Sequence, residues 1–190
     1  MKILKVEWNL ICVTVWCLNL AGKILGHRVN ENLVFRVLKP SHINYDFTIR
    51  PAKNFGGTFN FVYNGIQLVA ADPIEACGEI QNADEVRGAV ALVKRGECSF
   101  LSKSIVADRA GALMVIIFDY DKKNDNRFID MIDDDTRRPT TIPTAFMQGR
   151  DGFWLEQYLT VDKEIIEIAI PVNTTGIPYS HLHRPPWTLW

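Results

Sequence analysis

Cys77 and Cys98 are the residues whose surroundings suggest chemistry, because Lys94, Arg95 and Glu97 stand just before the second cysteine in ALVKRGECSF, residues 91–100. Cations beside a thiol lower its pKa, and the thiolate is both a nucleophile and a metal ligand. The same residue types also describe half of a disulfide preceded by a charged turn whose side chains lie in water. A catalytic thiol needs a partnered histidine, but His27, His42, His181 and His183 lie towards the two ends of the chain. A zinc site needs more cysteines or histidines at CxxC or HxxxH spacing, and the sequence has none.

Redox compartment then decides between the readings. The chain begins MKILKVEW, with Lys2 and Lys5, and continues LICVTVWCLNLAG, an apolar run that ends in small residues. That order is the charged n-region, apolar h-region and small-residue exit of a secretory signal peptide over residues 1–22. The run is shorter than the roughly 20 apolar residues a membrane span needs. Cleavage after Gly22 removes Cys12 and Cys17 and leaves Cys77 and Cys98. Two cysteines in an oxidising compartment pair. The closed loop of about 22 residues then stabilises the fold by roughly 3 kcal/mol in the chain-entropy account.

Other chemistry is weakly represented. Ser180 beside His181 and His183 offers hydrolase residue types, but there is no GxSxG elbow and the segment is proline-rich. His181 and His183 would face alike on an extended segment, without a third ligand in evident register. DYDKKNDNRFID, 119–130, places acids at four EF-hand positions. Lys123 takes the fifth position, however, Asn124 replaces the glycine, and Asp130 replaces the bidentate glutamate. This stretch and Asp133–Asp135 are expected to be solvated loop. Asn173-Thr174-Thr175 is an N-glycosylation sequon, usable in a secreted chain. A net charge of −1 over 190 residues gives no electrostatic case for nucleic acid.

The elements that must position these residues alternate between strand and helix patterns. Strands are expected over 33–38, 43–49, 58–64 (TFNFVYN, with Phe59, Phe61 and Tyr63 alternating), 66–70, 88–93, 113–118, 142–147 and 164–170. A helix from Ser99 or Ser102 to Ala110 is closed by Gly111, a second runs from Asp151 to about Leu159, and a short one is expected around 127–134. Strand–helix–strand from 88 to 118 implies two neighbouring parallel strands. The fold class is α/β (α+β): compact, β-rich, with a mixed sheet and two short helices. From Pro171 the chain becomes a tail in which Pro185-Pro186 suggests an extended, polyproline-like segment. Trp187 and Trp190 either fold back onto the domain or form an exposed docking peptide.

GAVALVKRGECSFLSKSIVADRAGALMVIIFD resembles the core of the protease-associated (PA) domain: a strand, a Lys/Arg-Gly turn, Cys-x-Phe, a lysine-bearing helix, Ala-Gly-Ala and a second apolar strand. IPTAFMQGRDGFWLEQYL resembles the family's later strand and helix start. PAKNFGG (51–57), EACGE (75–79) and IPVNTT (170–175) narrow the likeness to the small secreted glycoproteins built on this domain alone. The resemblance implies a signal peptide over 1–22, a PA domain over 30–172 with its motif core at 75–162, and a tail over 173–190. It implies a protein-interaction or regulatory module with no catalytic residues, no cofactor and no membrane anchor, acting on an unknown protein partner in the secretory pathway or outside the cell. Lys94, Arg95 and Glu97 are the candidate partner-binding residues. The alternative is a secreted hydrolase with an unrecognised site.

Overall fold

The computed structural model describes residues 32–188. The signal peptide expected over 1–22, and Trp190, lie outside them. The described elements run β1 (Leu33–Lys39), β2 (Asp46–Pro51), β3 (Tyr63–Ala70), α1 (Ala83–Val86), β4 (Val90–Lys94), α2 (Phe100–Arg109), β5 (Met114–Phe118), β6 (Thr144–Met147), α3 (Gly149–Thr160) and β7 (Ile166–Ile170). The strands close into a barrel in the order β1-β2-β6-β5-β4-β3-β7. The sequence leads to a mixed sheet but does not reveal its closure.

Pairing is parallel along β3-β4-β5-β6 and antiparallel elsewhere. The parallel β4-β5 pair, with α2 between them in the chain, is the crossover expected from residues 88–118. Parallel strands covered on both faces read as unbroken apolar runs, which explains VALVK and MVIIF. Val90, Leu92, Met114, Ile116 and Phe118 join a core fed by all seven strands, with Leu155 of α3 added. Their neighbours Ala91, Val93, Val115 and Ile117 pack with Ala107 of α2 in a second core. Each fully buried aliphatic side chain stabilises by about 1.5–3 kcal/mol.

α2 forms where the capping residues place it. The Ser99 side chain accepts the Ser102 N–H at 3.1 Å, satisfying one orphan donor of the first turn, and the chain turns away at Gly111 with φ +88°. α3 begins two residues earlier than expected. A side chain at Gly149 would stand 2.0 Å from the Asp121 carbonyl oxygen, and one at Gly152 2.1 Å from Phe118 Cβ. Both glycines are therefore needed for α3 to lie this close to the end of β5.

Two expectations fail. Residues 58–62 are irregular, β3 starts at Tyr63, and Phe61 is 72% exposed. Phe59 and Tyr63 pack on the core from a loop and a strand end, so an alternating pattern arose without a strand. No helix forms over 127–134. There Met131 is buried in the second core, and side-chain bonds rather than helical ones hold the loop.

Candidate functional site

The turn after β4 reverses through Gly96 at φ 122° and Glu97 at φ 65°. It delivers Cys98 to Cys77, and the two form a disulfide with their Cα atoms 5.8 Å apart. The bridge thereby joins the irregular segment after β3 to the start of α2. That segment is held further by Lys94 N–H donating to the Ile74 carbonyl at 2.8 Å and Gln81 N–H to the Asp72 carbonyl.

The flanking charges are not simply in water, which corrects the expectation of a solvated charged turn. Arg95 is partly buried and pairs with the buried Asp119 at 3.1 Å. Its guanidinium also lies over the rings of Phe100 and Tyr120, at 5.9 and 5.0 Å. Lys94 Nζ sits 5.0 Å from the Phe153 ring centroid. Glu97 is exposed. Of the three candidate partner-binding residues, Glu97 alone is exposed, and Arg95 is a structural cation.

Asp119 also explains the EF-hand-like stretch. Its carboxylate accepts Asn124 Nδ2 at 2.8 Å, while Asn124 Oδ1 accepts the Arg127 N–H at 2.9 Å. The acid at the first loop position is thus engaged by a guanidinium and an amide, and the loop is folded around them. Asp134, expected to be solvated, accepts from Ser99 and Thr136 and pairs with Arg138. The Ser99 and Thr136 hydroxyls, then Arg138, hold its carboxyl well below the usual carboxylate range.

Lys103 is the site residue that the pattern analysis does not single out. It is fully buried, with Nζ donating to the Glu75 carbonyl and, at 3.4 Å, to Cys77 Sγ. Desolvation pushes its pKa down to about 8, with Glu75 and Glu97 opposing the fall. The signal was present: Phe100, Lys103, Ala107 and Ala110 share one helical stripe, so a lysine there faces inward.

The tail is docked. His183 and Asp46 exchange backbone and carboxylate bonds at 2.7 and 2.9 Å, while Arg36 grips the Asp46 carboxylate in bidentate fashion. Trp187 stacks on Trp154 with centroids 4.9 Å apart and donates Nε1–H to Asp151 at 2.8 Å. Pro186–Thr188 form a 3-10 turn rather than an extended polyproline segment. Ser180 and His181 lie in an exposed 3-10 turn, and the His183 ring packs on Tyr45. The structure does not join these three into a nucleophile–base pair. Asn173 is exposed, and its Oδ1 accepts the Thr175 N–H at 2.9 Å. Among the described residues no helix is long and apolar enough to cross a membrane.

The sequence profile of the PA domain matches residues 64–155. The chain is 41% identical over 162 residues to a PRADC1-like protein of Drosophila melanogaster, covering 84% of this chain and 83% of that one. It is 30% identical over 90 residues to the ER degradation-enhancing alpha-mannosidase-like protein 3 of Xenopus laevis, covering 45% of this chain and 10% of the relative. Among solved structures, an aminopeptidase from Aneurinibacillus sp. strain AM-1 aligns with a TM-score of 0.49 and 18% identity, over 74% of this chain and 30% of that chain.

Proposed function

On the premise that this chain belongs to the PA domain family, we propose that it is a secreted, N-glycosylated and non-catalytic protein-interaction module. One observation carries the reading: the PA profile spans residues 64–155, and the likeness to the Drosophila relative extends over 83% of that protein. The likeness to that relative also runs beyond the PA profile, over 84% of this chain. The charged and apolar N-terminal pattern supports secretion, and the Cys77–Cys98 bridge suits an oxidising compartment. The exposed Asn173 turn is accessible to a glycan. The exposed Glu97 and Tyr120, beside the rigid Arg95–Asp119 pair, are the edge proposed to meet a protein partner.

Expression of the full chain in secretory cells tests this. The product appears in the medium without residues 1–22, N-glycosidase lowers its mass, and Asn173→Gln abolishes that shift. Captured partners are lost on Glu97→Lys, a change that leaves the Arg95–Asp119 pair intact. A cytosolic product of full length, or peptidase or esterase turnover removed by mutating Ser180 or His181, overturns the reading.

A further inference from the structure

The Cys77–Cys98 bridge lies above a buried cation. Cys77 is exposed and Cys98 half-buried, so a thiol from solution can approach the bridge. Beneath it, the fully buried Lys103 donates Nζ to the Glu75 carbonyl and to Cys77 Sγ. Neither acceptor carries charge, and a buried ammonium without a contacting anion is costly. The nearby Glu75 and Glu97 carboxylates favour the cation, but desolvation prevails over them. A negative charge created on Cys77 Sγ, 3.4 Å from Nζ, would supply the missing counter-charge.

We infer that Cys98 is a thiol-exchange site, at which an incoming thiolate attacks Cys98 Sγ and expels Cys77 Sγ as a thiolate paired with the Lys103 ammonium. In this step one S–S bond forms as the other breaks. Cys98 is left in a mixed disulfide, and Cys77 keeps the electron pair of the broken bond. A second thiolate attacking the external sulfur of the mixed disulfide releases Cys98 as a thiolate and gives the external disulfide. Over both steps the bridge gains two electrons and two external thiols lose them.

The direction follows from which sulfur leaves more readily. A leaving thiol with the lower pKa departs faster, and direct contact with an ammonium lowers a thiol pKa. Cys98 has a weaker claim. It stands one residue before Ser99, the N-cap of α2, outside the first turn over which the helix dipole acts. Exchange would also loosen the segment around Cys77, Gly78 and Glu79, which forms part of the wall of a cavity of about 440 Å³ shared with Val106 and Arg109 of α2. This assignment is independent of the partner proposed above.

The test uses the purified, disulfide-bonded full chain with reduced glutathione, acid quenching, alkylation and peptide mass mapping. Glutathione is expected on Cys98 and the alkyl group on Cys77, in about tenfold excess over the reverse. In the trapped adduct, alkylation of Cys77 stays near its plateau down to about pH 6.5, as for a cation-paired thiolate. Lys103→Met slows exchange about tenfold, and Lys103→Arg restores most of it. Should Lys103→Met fail to fold, the wild-type adduct decides alone. Glutathione on Cys77, equal partition, no adduct, or Cys77 alkylation half-maximal near the ordinary thiol value of about 8.5 each overturns the assignment. So does a folded Lys103→Met that exchanges at the wild-type rate.

Discussion

The disulfide edge and the tail edge both fasten an irregular segment to the barrel, and they do so by opposite means. At the first, the Cys77–Cys98 bond ties the segment after β3 to α2, with Arg95–Asp119 packed beside it. At the second, Trp187 stacks on Trp154 and bonds to Asp151, while His183 bonds to Asp46. A covalent loop acts chiefly by restricting the unfolded chain, so its contribution follows loop length. The tail's contribution resides wholly in folded-state contacts, several of them to buried carboxylates. The first fastening should respond to reductant and the second to pH.

The largest effect belongs to the covalent edge. Cys77→Ala combined with Cys98→Ala is expected to leave a folded protein less stable by about 2–5 kcal/mol, read from the urea midpoint. Reductant should destabilise the wild type by a similar amount and leave the double variant unchanged. Equal sensitivity of the two proteins would break the comparison.

Next comes the ion pair beside the bridge. Arg95→Ala leaves the Asp119 carboxylate buried with Asn124 as its remaining side-chain partner, at a cost of about 1–3 kcal/mol. Adding Asp119→Asn should recover part of the loss, because the stranded charge is then gone. A lack of any recovery in that double-mutant cycle would mean that Arg95 contributes through its ring contacts with Phe100 and Tyr120 instead. At the tail edge, Trp187→Ala removes a half-buried stack and an indole hydrogen bond. A loss of about 2 kcal/mol is expected, with faster proteolysis after residue 171 and no change in reductant sensitivity.

How much of this was legible depended on whether local pattern or distant packing decides a residue's place. VALVK, MVIIF and the Ser99-capped helix read correctly because burial on both faces and capping are written into adjacent residues. The PA likeness was readable for the same reason, since its motif is one strand–turn–helix–strand unit. Closure of the barrel depends on β1 and β3 both pairing with β7, across long stretches of chain, and no local signal carries that. Phe59, Phe61 and Tyr63 mimicked a strand because aromatic residues in a loop can alternate while only some of them pack. Arg95 and the acids of the 119–130 loop looked solvated because charge alone does not show a partner elsewhere in the chain. Lys103 was visible on an apolar helical stripe, but its acceptors at residues 75 and 77 were not.

The smallest effect separates the two edges by pH. Burial pushes the Asp151 carboxyl up to about 6, with the Trp187 indole hydrogen bond and Arg150 only partly offsetting it. A carboxyl that holds its proton more tightly when folded adds stability that is complete below its unfolded value and is lost as pH rises through the folded one. For Asp151 that window runs from about pH 4 to about pH 6. Between pH 5 and 7 the loss is about 1 kcal/mol. Asp151→Asn keeps an oxygen to accept the Trp187 N–H but cannot ionise, so its stability should fall less over that interval in urea titrations at each pH. Trp187→Ala should flatten the profile as well, because removing the indole lets water reach Asp151. The bridge has no titrating group of its own while oxidised, so the Cys77→Ala, Cys98→Ala protein should retain the wild-type slope. If the slope followed the cysteines instead of Trp187, the pH-dependent fastening would lie at the disulfide edge.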